Sequence, residues 1–316
     1  MPLVIDTEED QPASDLEALV EKLHQDRFDP TDHDSFIEFA SALKALGNNR
    51  TFLAEMICKE LGDYRSIQPS NSYSPQVFML YGPQRRGQSF FIRACLWASE
   101  NEQIMKVSGT DPFFYYKPHD HNFNFMTVGY HGPGYWSDYY EYEYKDKIGY
   151  KGEDADLKFV ERTRLEAGKV MLYRAFTDIH NQLPADRFSI SLNIMENTMR
   201  SSVMDQYAFD IDKGSISGVI NRIGAAPLFH ILAAHPDSES QGILEEISRK
   251  HPLERVRMCA YHALASAKTS AAEALEIYAG IGDTDPAFLR EWSRIHTADL
   301  EKLVPLPTVG LGGTTC

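Results

Sequence analysis

Apolar residues recur at two different periods along this chain, and the switch between them divides it. From Asp15 the spacing is helical, with Leu16, Leu19, Val20 and Leu23 on one face and Ser14 placed to cap the N-terminus. Asp34 or Ser35 opens a second predicted helix carrying Phe36, Phe39, Ala42, Leu43 and Leu46, which stops at Gly47-Asn48-Asn49. A third spans about Phe52 to Leu61 and ends before Gly62. From about Ser66, Pro, Gly and Ser punctuate short runs rich in aromatic and β-branched residues. These are VFMLYG (77–82), SFFIRACLWA (89–98), FFYY (113–116), FNFMTVGY (123–130), YYEYEY (139–144), KFVERTRLE (158–166), KVMLYRAF (169–176) and FSISLNIM (188–195). Eight or so short strands with turns between them predict an all-β sandwich or barrel. After Lys213 the helical period returns and holds to about Leu303, as in Val256, Cys259, Ala260 and Leu264.

The predicted organisation has five parts. They are a disordered acidic lead (1–14), an N-terminal helical segment (15–65), a β-domain (66–213), a C-terminal helical segment (214–303) and a flexible tail (304–316). The N-terminal helices are expected to cover one side of the β-domain. A hydrophobic fraction of 43% with 11% aromatics supports a sizeable core over the 316 residues. The net charge of −15 argues against nucleic acid or an anionic membrane as partner. The start MPLVIDTEEDQP is acidic and does not read as a signal peptide, and no apolar run is long enough to span a bilayer. Cys58, Cys95, Cys259 and Cys316 lie far apart, without CxxC spacing, so free thiols and a cytoplasmic location are expected.

The chemistry concentrates in KPHDHNFNFMTVGYHGPGYWSDYYEYEY (117–144). His119 and His121 are two positions apart, so on an extended chain their rings share a face, roughly 7 Å apart along the strand. Two imidazoles so placed hold one metal ion if a third ligand joins them, and the candidate is His180 in TDIHNQLP. Imidazole suits iron, zinc, copper and nickel, and three neutral rings on one face leave open positions for substrate. Asp178, Asn181 and Asp120 are near enough in sequence to orient the rings. Glu141 and Glu143 alternate with tyrosines; an inward acidic face would make Glu141 a fourth ligand or a general base, and an outward one would keep the sheet soluble. Arg93, Arg162, Arg164 and Arg174 lie in strand-like runs, where an inward arginine needs an anion. His131 falls in a turn, and Cys95 reads as a small buried hydrophobe. P-loop, dinucleotide GxGxxG, GxSxG and HExxH signatures are absent.

Over about residues 75–200 these features resemble the cupin superfamily, and within it the three-histidine, cysteine dioxygenase-like non-haem iron enzymes. The first cupin motif is HxH, a glutamate and then a glycine; with Gly132 as that glycine, the glutamate slot holds Phe125. The second motif is a glycine followed by a histidine, matched by Gly168 and His180 in LEAGKVMLYRAFTDIH. Ser191-Leu192-Asn193, eleven residues past His180, resembles the family's Ser-Leu-His run. The chain departs from the family where Asn193 replaces that histidine, Met195 a tyrosine and Met126 a cysteine; the resemblance therefore carries over a metal site and leaves the thiol substrate behind.

What the resemblance implies is a cupin double-stranded β-helix (jelly-roll) barrel with helical flanks. Fe(2+) would be held by His119, His121 and His180, and O2 and a small polar metabolite, such as an amino-acid derivative, would react there. Arg93 is the first candidate for a substrate carboxylate and Arg174 the second, with Asn193 facing the same site. A zinc, manganese or nickel isomerase, epimerase or lyase using Glu141 as base is the enzymatic alternative. The stretch 251–267 resembles a HEAT-type helical repeat, which leaves open a sensor or scaffold, and the helical flanks are also candidates for a homodimer contact.

Overall fold

The computed structural model describes residues 1–63, 68, 71, 73–74, 76–83, 87–221, 226–235 and 237–303. The expected start of the β-domain at Ser66 and the tail 304–316 lie outside them. The chain divides into two compact units, one of Met1–Lys147 with Lys151–Asn221, the other of Ile148–Tyr150 with the chain from Arg222 onward.

The first unit begins with a strand. Leu3–Ile5 (β1), in the lead expected to be disordered, pairs antiparallel with a strand far along the chain. Three apolar residues in succession, two of them β-branched, extend an open sheet edge despite the acidic residues that follow. Helix α1 (Leu16–Gln25) is capped by Asp15, whose carboxylate accepts from the Ala18 N–H, and not by Ser14. The single helix expected from Asp34 to Leu46 is two, α2 (His33–Glu38) and α3 (Ala40–Asn48), broken at Phe39. The break sets Phe36 and Phe39 both edge-on against Phe28, with centroids 4.9 and 5.2 Å away. Helix α4 (Phe52–Leu61) follows.

The β-rich part contains β2 (Val77–Tyr81), β3 (Phe90–Trp97), a short helix α5 (Gln103–Ser108), β4 (Phe125–His131) and β5 (Trp136–Glu141). It continues with β6 (Lys158–Arg164), β7 (Val170–Tyr173), β8 (Asp178–Leu183), β9 (Ser189–Glu196), α6 (Met199–Val203), β10 (Tyr207–Asp210) and β11 (Ser215–Val219). The run FFYY is a turn and not a strand: Phe114 and Tyr116 both sit at positive φ. The boundary expected at Lys213 falls inside the β10–β11 hairpin.

Six strands form one antiparallel sheet in the order β1-β7-β4-β9-β3-β2, and three form another, β6-β5-β8. Strand alternation then splits the large sheet into two faces. Ile92, Ala94, Met126, Val128, Leu172, Leu192 and Ile194 point one way and pack with Leu16, Leu23, Phe36, Leu43 and Leu46 of the N-terminal helices. Phe91, Cys95, Trp97, Phe125, Met171, Tyr173 and Met195 point the other way and pack with Tyr135 and Tyr139 at the three-stranded sheet. Each such side chain buried contributes about 1.5–3 kcal/mol, and the second face is the one that carries the site. Where a barrel was expected, the described residues form these two antiparallel sheets and the two-stranded β10-β11 sheet, with no strand pairing that closes them into a barrel.

The second unit is helical, with α7 (Ala226–Ala233), α8 (Ser238–Lys250), α9 (Glu254–Ser266), α10 (Ala271–Ala279) and α11 (Ala287–Glu301). Helix α9 is its centre: Val256, Ala260 and Leu264 pack with Phe229 and Leu244, while Met258, Tyr261 and Ala265 pack with Tyr278 and Leu289. Among the described residues no helix is long and apolar enough to cross a membrane.

Candidate metal centre

His119 and His121 lie just before β4, in a segment held by single bridges and not in the continuous strand expected. His119 is bridged on one side to His180 of β8 and on the other to Ala208 of β10. The His119 N–H donates to the His180 carbonyl (3.1 Å) and the His180 N–H to the His119 carbonyl (3.0 Å). Directly opposed residues of an antiparallel bridge share a face, so the two imidazoles meet with Nε2 atoms 3.1 Å apart. His121, two residues on, puts its ring centroid 4.9 Å from each of the others. The segment is pinned around them: the His121 carbonyl accepts from Phe176 N, and the Asn122 amide donates to the Ser201 and Met204 carbonyls.

One donor nitrogen from each of the three rings lies within 4.8 Å of the others, and all three residues are buried. Among the described residues they are the only such cluster of histidine, cysteine and carboxylate groups. Nitrogens bonded to one ion at about 2.1 Å stand roughly 3.0–3.4 Å apart for right-angled to tetrahedral geometry, and the His119–His180 pair already has that separation. His119 Nδ1 donates to the Lys117 carbonyl at 2.6 Å, which leaves the Nε2 lone pair facing inward. Burial pushes the His119 pKa down to about 4, against the support of that bond. Burial also holds His121 and His180 well below the ordinary histidine range, with the neighbouring imidazoles and Arg93 adding to the effect at His121. Three neutral nitrogen donors are the state in which imidazole binds a metal, so the residues fit a mononuclear ion.

The expected orienting groups do not reach the rings. Asp120 points away, accepting from the Tyr142 hydroxyl and from the Tyr207 N–H (2.6 Å). Asp178 is taken by Arg174, and the Asn181 side-chain oxygen has no partner among the described residues.

The three imidazoles border a cavity of about 620 Å³ that also takes in Arg93, Asn193, Phe125 and Met195. Arg93 and Asn193 are directly opposed on β3 and β9. Asn193 donates to the Cys95 sulfur at 3.1 Å, and burial pushes the Cys95 thiol pKa up. Phe125, in the slot where the resemblance places a glutamate, lies 4.8 Å from the His121 ring. Met126 belongs to the opposite face, against the helices.

Glu141 and Arg174 are not brought to the site. Glu141 opposes Asp178 two pairs beyond the Tyr139–His180 pair, at the end of its strand. There the Met1 amine and the Arg174 guanidinium bind it and hold its carboxyl below the usual range. Arg174 lies one residue past the end of β7 and turns back to Asp178 at 2.7 Å. Both charges are spent on each other and on Asp178, and neither lines the cavity. His131 is exposed at the end of β4.

No protein-family model matches the chain, and no curated protein is similar to it in sequence. Among solved structures, it aligns with prolyl 4-hydroxylases from Phytophthora capsici at 11% identity, over 92% of this chain and 83% of that one, with a TM-score of 0.22. So low a score carries no argument about fold or chemistry.

Two features of the site had no signal in the sequence. One is a chain of phenols, Tyr139 to Tyr173 (2.7 Å between hydroxyls) and Tyr173 to Tyr135 (3.3 Å), with the Tyr173 ring centroid 5.1 Å from that of His180. The other is the stacking of Trp97 on Tyr135, centroids 3.8 Å apart. Both depend on how the two sheets face each other, which strand periodicity does not reveal.

Proposed function

We propose that this protein is a mononuclear non-haem iron(II)-dependent oxygenase of the cupin, jelly-roll type, with His119, His121 and His180 as the metal ligands. The observation that supports this reading most is the convergence of three buried, uncharged imidazoles without a carboxylate on a cavity large enough for a substrate. Iron(II) held there would supply electrons for oxygen activation and open positions for a chelating molecule. The residues around it exclude water: Phe125 and Phe123 flank His121, and Tyr173 backs His180. With no carboxylate among the ligands the centre keeps its full positive charge, and Arg93 adds another at the cavity wall, so an anionic substrate is favoured. The zinc, manganese or nickel lyase or isomerase reading needs Glu141 as base, and that carboxylate is tied to Met1 and Arg174 outside the cavity.

The test is metal analysis of protein purified without oxygen, followed by addition of nitric oxide as an oxygen surrogate and electron paramagnetic resonance. One iron per chain with a nitrosyl signal is expected, and both should vanish in His180→Ala. Tight zinc without the signal would favour the lyase or isomerase reading. A chain that binds no metal would end both.

A further inference from the structure

We infer that the molecule whose carboxylate the resemblance places on Arg93 has an aromatic or similarly large apolar body, held against Phe91, Phe123 and Phe125. The inference rests on the reading of the cavity as the active site and adds the substrate class. It begins with the charges around the cavity. Two carboxylates border it, and each has its own cation: Asp111 lies 3.0 Å from Lys117, and Glu196 is bound by Arg200 and Thr198. Arg93 has no carboxylate partner among the described residues. Its guanidinium lies 5.2 Å from the Tyr73 ring centroid, and its Nε is buried without an acceptor. A guanidinium held in a cavity with an open N–H edge is built for an anion, and its planar fork matches a carboxylate. A phosphate dianion would call for more than one cation here.

The surroundings of Arg93 set the rest of the ligand. On β3 the residues sharing its face are Phe91 and Cys95, each roughly 7 Å away along the strand. Diagonally across, on β9, stands Met195. Phe123 and Phe125 lie 4.9 and 4.8 Å from His121, so carbon lines the way from the guanidinium towards the imidazoles. Arg93 and His121 both line this one cavity. A small amino acid would leave most of a 620 Å³ cavity to water held against these rings. An aryl carboxylate fills it and covers them.

The experiment uses the full chain stripped of metal with chelator and titrated calorimetrically with 3-phenylpropionate, propionate and 3-phenylpropan-1-ol. We expect phenylpropionate to bind once per chain, and the two truncated probes to bind at least about tenfold more weakly. Arg93→Met should cost phenylpropionate at least about tenfold, with Arg93→Lys between the two, circular dichroism reporting the fold of each. Equal binding of propionate would overturn the apolar body, equal binding of the alcohol the carboxylate, and unchanged affinity in a folded Arg93→Met the site itself. Absence of saturable phenylpropionate binding to the wild-type chain would overturn the whole inference. Because metal is absent throughout, failure here is separate from failure of the metal analysis.

Discussion

Asp120, set between two of the three histidines, offers the sharpest test of the electrostatics around the centre. It is fully buried and its pKa is raised to about 7 by that burial, against the opposing effect of its bonds from Tyr142 and Tyr207. A raised carboxyl pKa means that the folded chain keeps a proton the unfolded chain has released. The resulting stabilisation is complete below the unfolded pKa of 3.8 and is gone once pH rises past about 7. The perturbation is Asp120→Asn, which stays neutral at every pH and lets the Tyr207 N–H keep an acceptor. Between pH 8 and pH 5 the wild-type chain should gain roughly 3 kcal/mol from this group that the variant does not. Urea unfolding of both proteins in chelator, at four pH values across that range, isolates the effect because contributions from the histidines are common to the two. The variant should therefore be at its best relative to wild type at pH 8 and lose ground steadily towards pH 5. A stability difference that stays flat within about 0.5 kcal/mol over that range would mean the carboxylate is already ionised at pH 5 and the reasoning is wrong.

Three further outcomes follow from the same structure. Bound metal should survive dialysis at pH 5.5 as at pH 7.5, because burial holds the His119 pKa down at about 4 and keeps His121 and His180 well below the ordinary histidine range; half of it lost by pH 6.5 would contradict the burial argument. Arg174→Met should destabilise the chain by roughly 2–3 kcal/mol, since the buried Asp178 loses its guanidinium and keeps the Met1 amine, while metal content stays at the wild-type value. Loss of metal in a folded Arg174→Met chain would return that arginine to the site. Gly129→Ala should lower stability by at least about 2 kcal/mol in thermal or urea unfolding, because a Cβ there meets the Glu166 carbonyl oxygen at 2.0 Å; a neutral result would refute the close approach of those two backbones.

How much of this was legible in the sequence differs from residue to residue. His119 and His121 share a face because they are two apart, and that spacing is visible without a structure. Their partnership with His180 was visible only through the resemblance, because the bridge that makes it involves residues sixty-one positions apart. Glu141 shows the limit of face alternation. It shares the inward face of its strand with Tyr139, but position along the strand decides what it meets, and it meets Arg174 and the Met1 amine. Arg174 reads as part of a strand because MLYRAF is apolar and aromatic, yet β7 ends at Tyr173 and the arginine turns to its i+4 neighbour. The leading acidic residues hid β1, whose pairing with β7 is a contact no local pattern reports. FFYY reads as a strand because strand propensity carries no information on the positive φ of Phe114 and Tyr116.

The distribution of unmet hydrogen-bonding groups argues that the inward face of the large sheet serves a ligand and not only a core. The fold is thorough elsewhere in pairing its buried carboxylates: Glu196 has Arg200, Thr198 and the Asn124 N–H, and Asp178 has Arg174 and Met1. Buried polar atoms without a partner are rare in folded proteins and call for a reason. In this chain four of those without one among the described residues are Arg93 Nε, Thr127 Oγ1, His121 Nδ1 and His180 Nδ1. Thr127 and Arg93 both oppose Asn193 and so share its face, the one that borders the cavity with His121 and His180. Had that face been selected for packing alone, apolar residues of similar volume would hold the sheets together without unpaired buried groups. Stability is given up there, around three imidazoles and a guanidinium, which is where a metal and an anion would restore it.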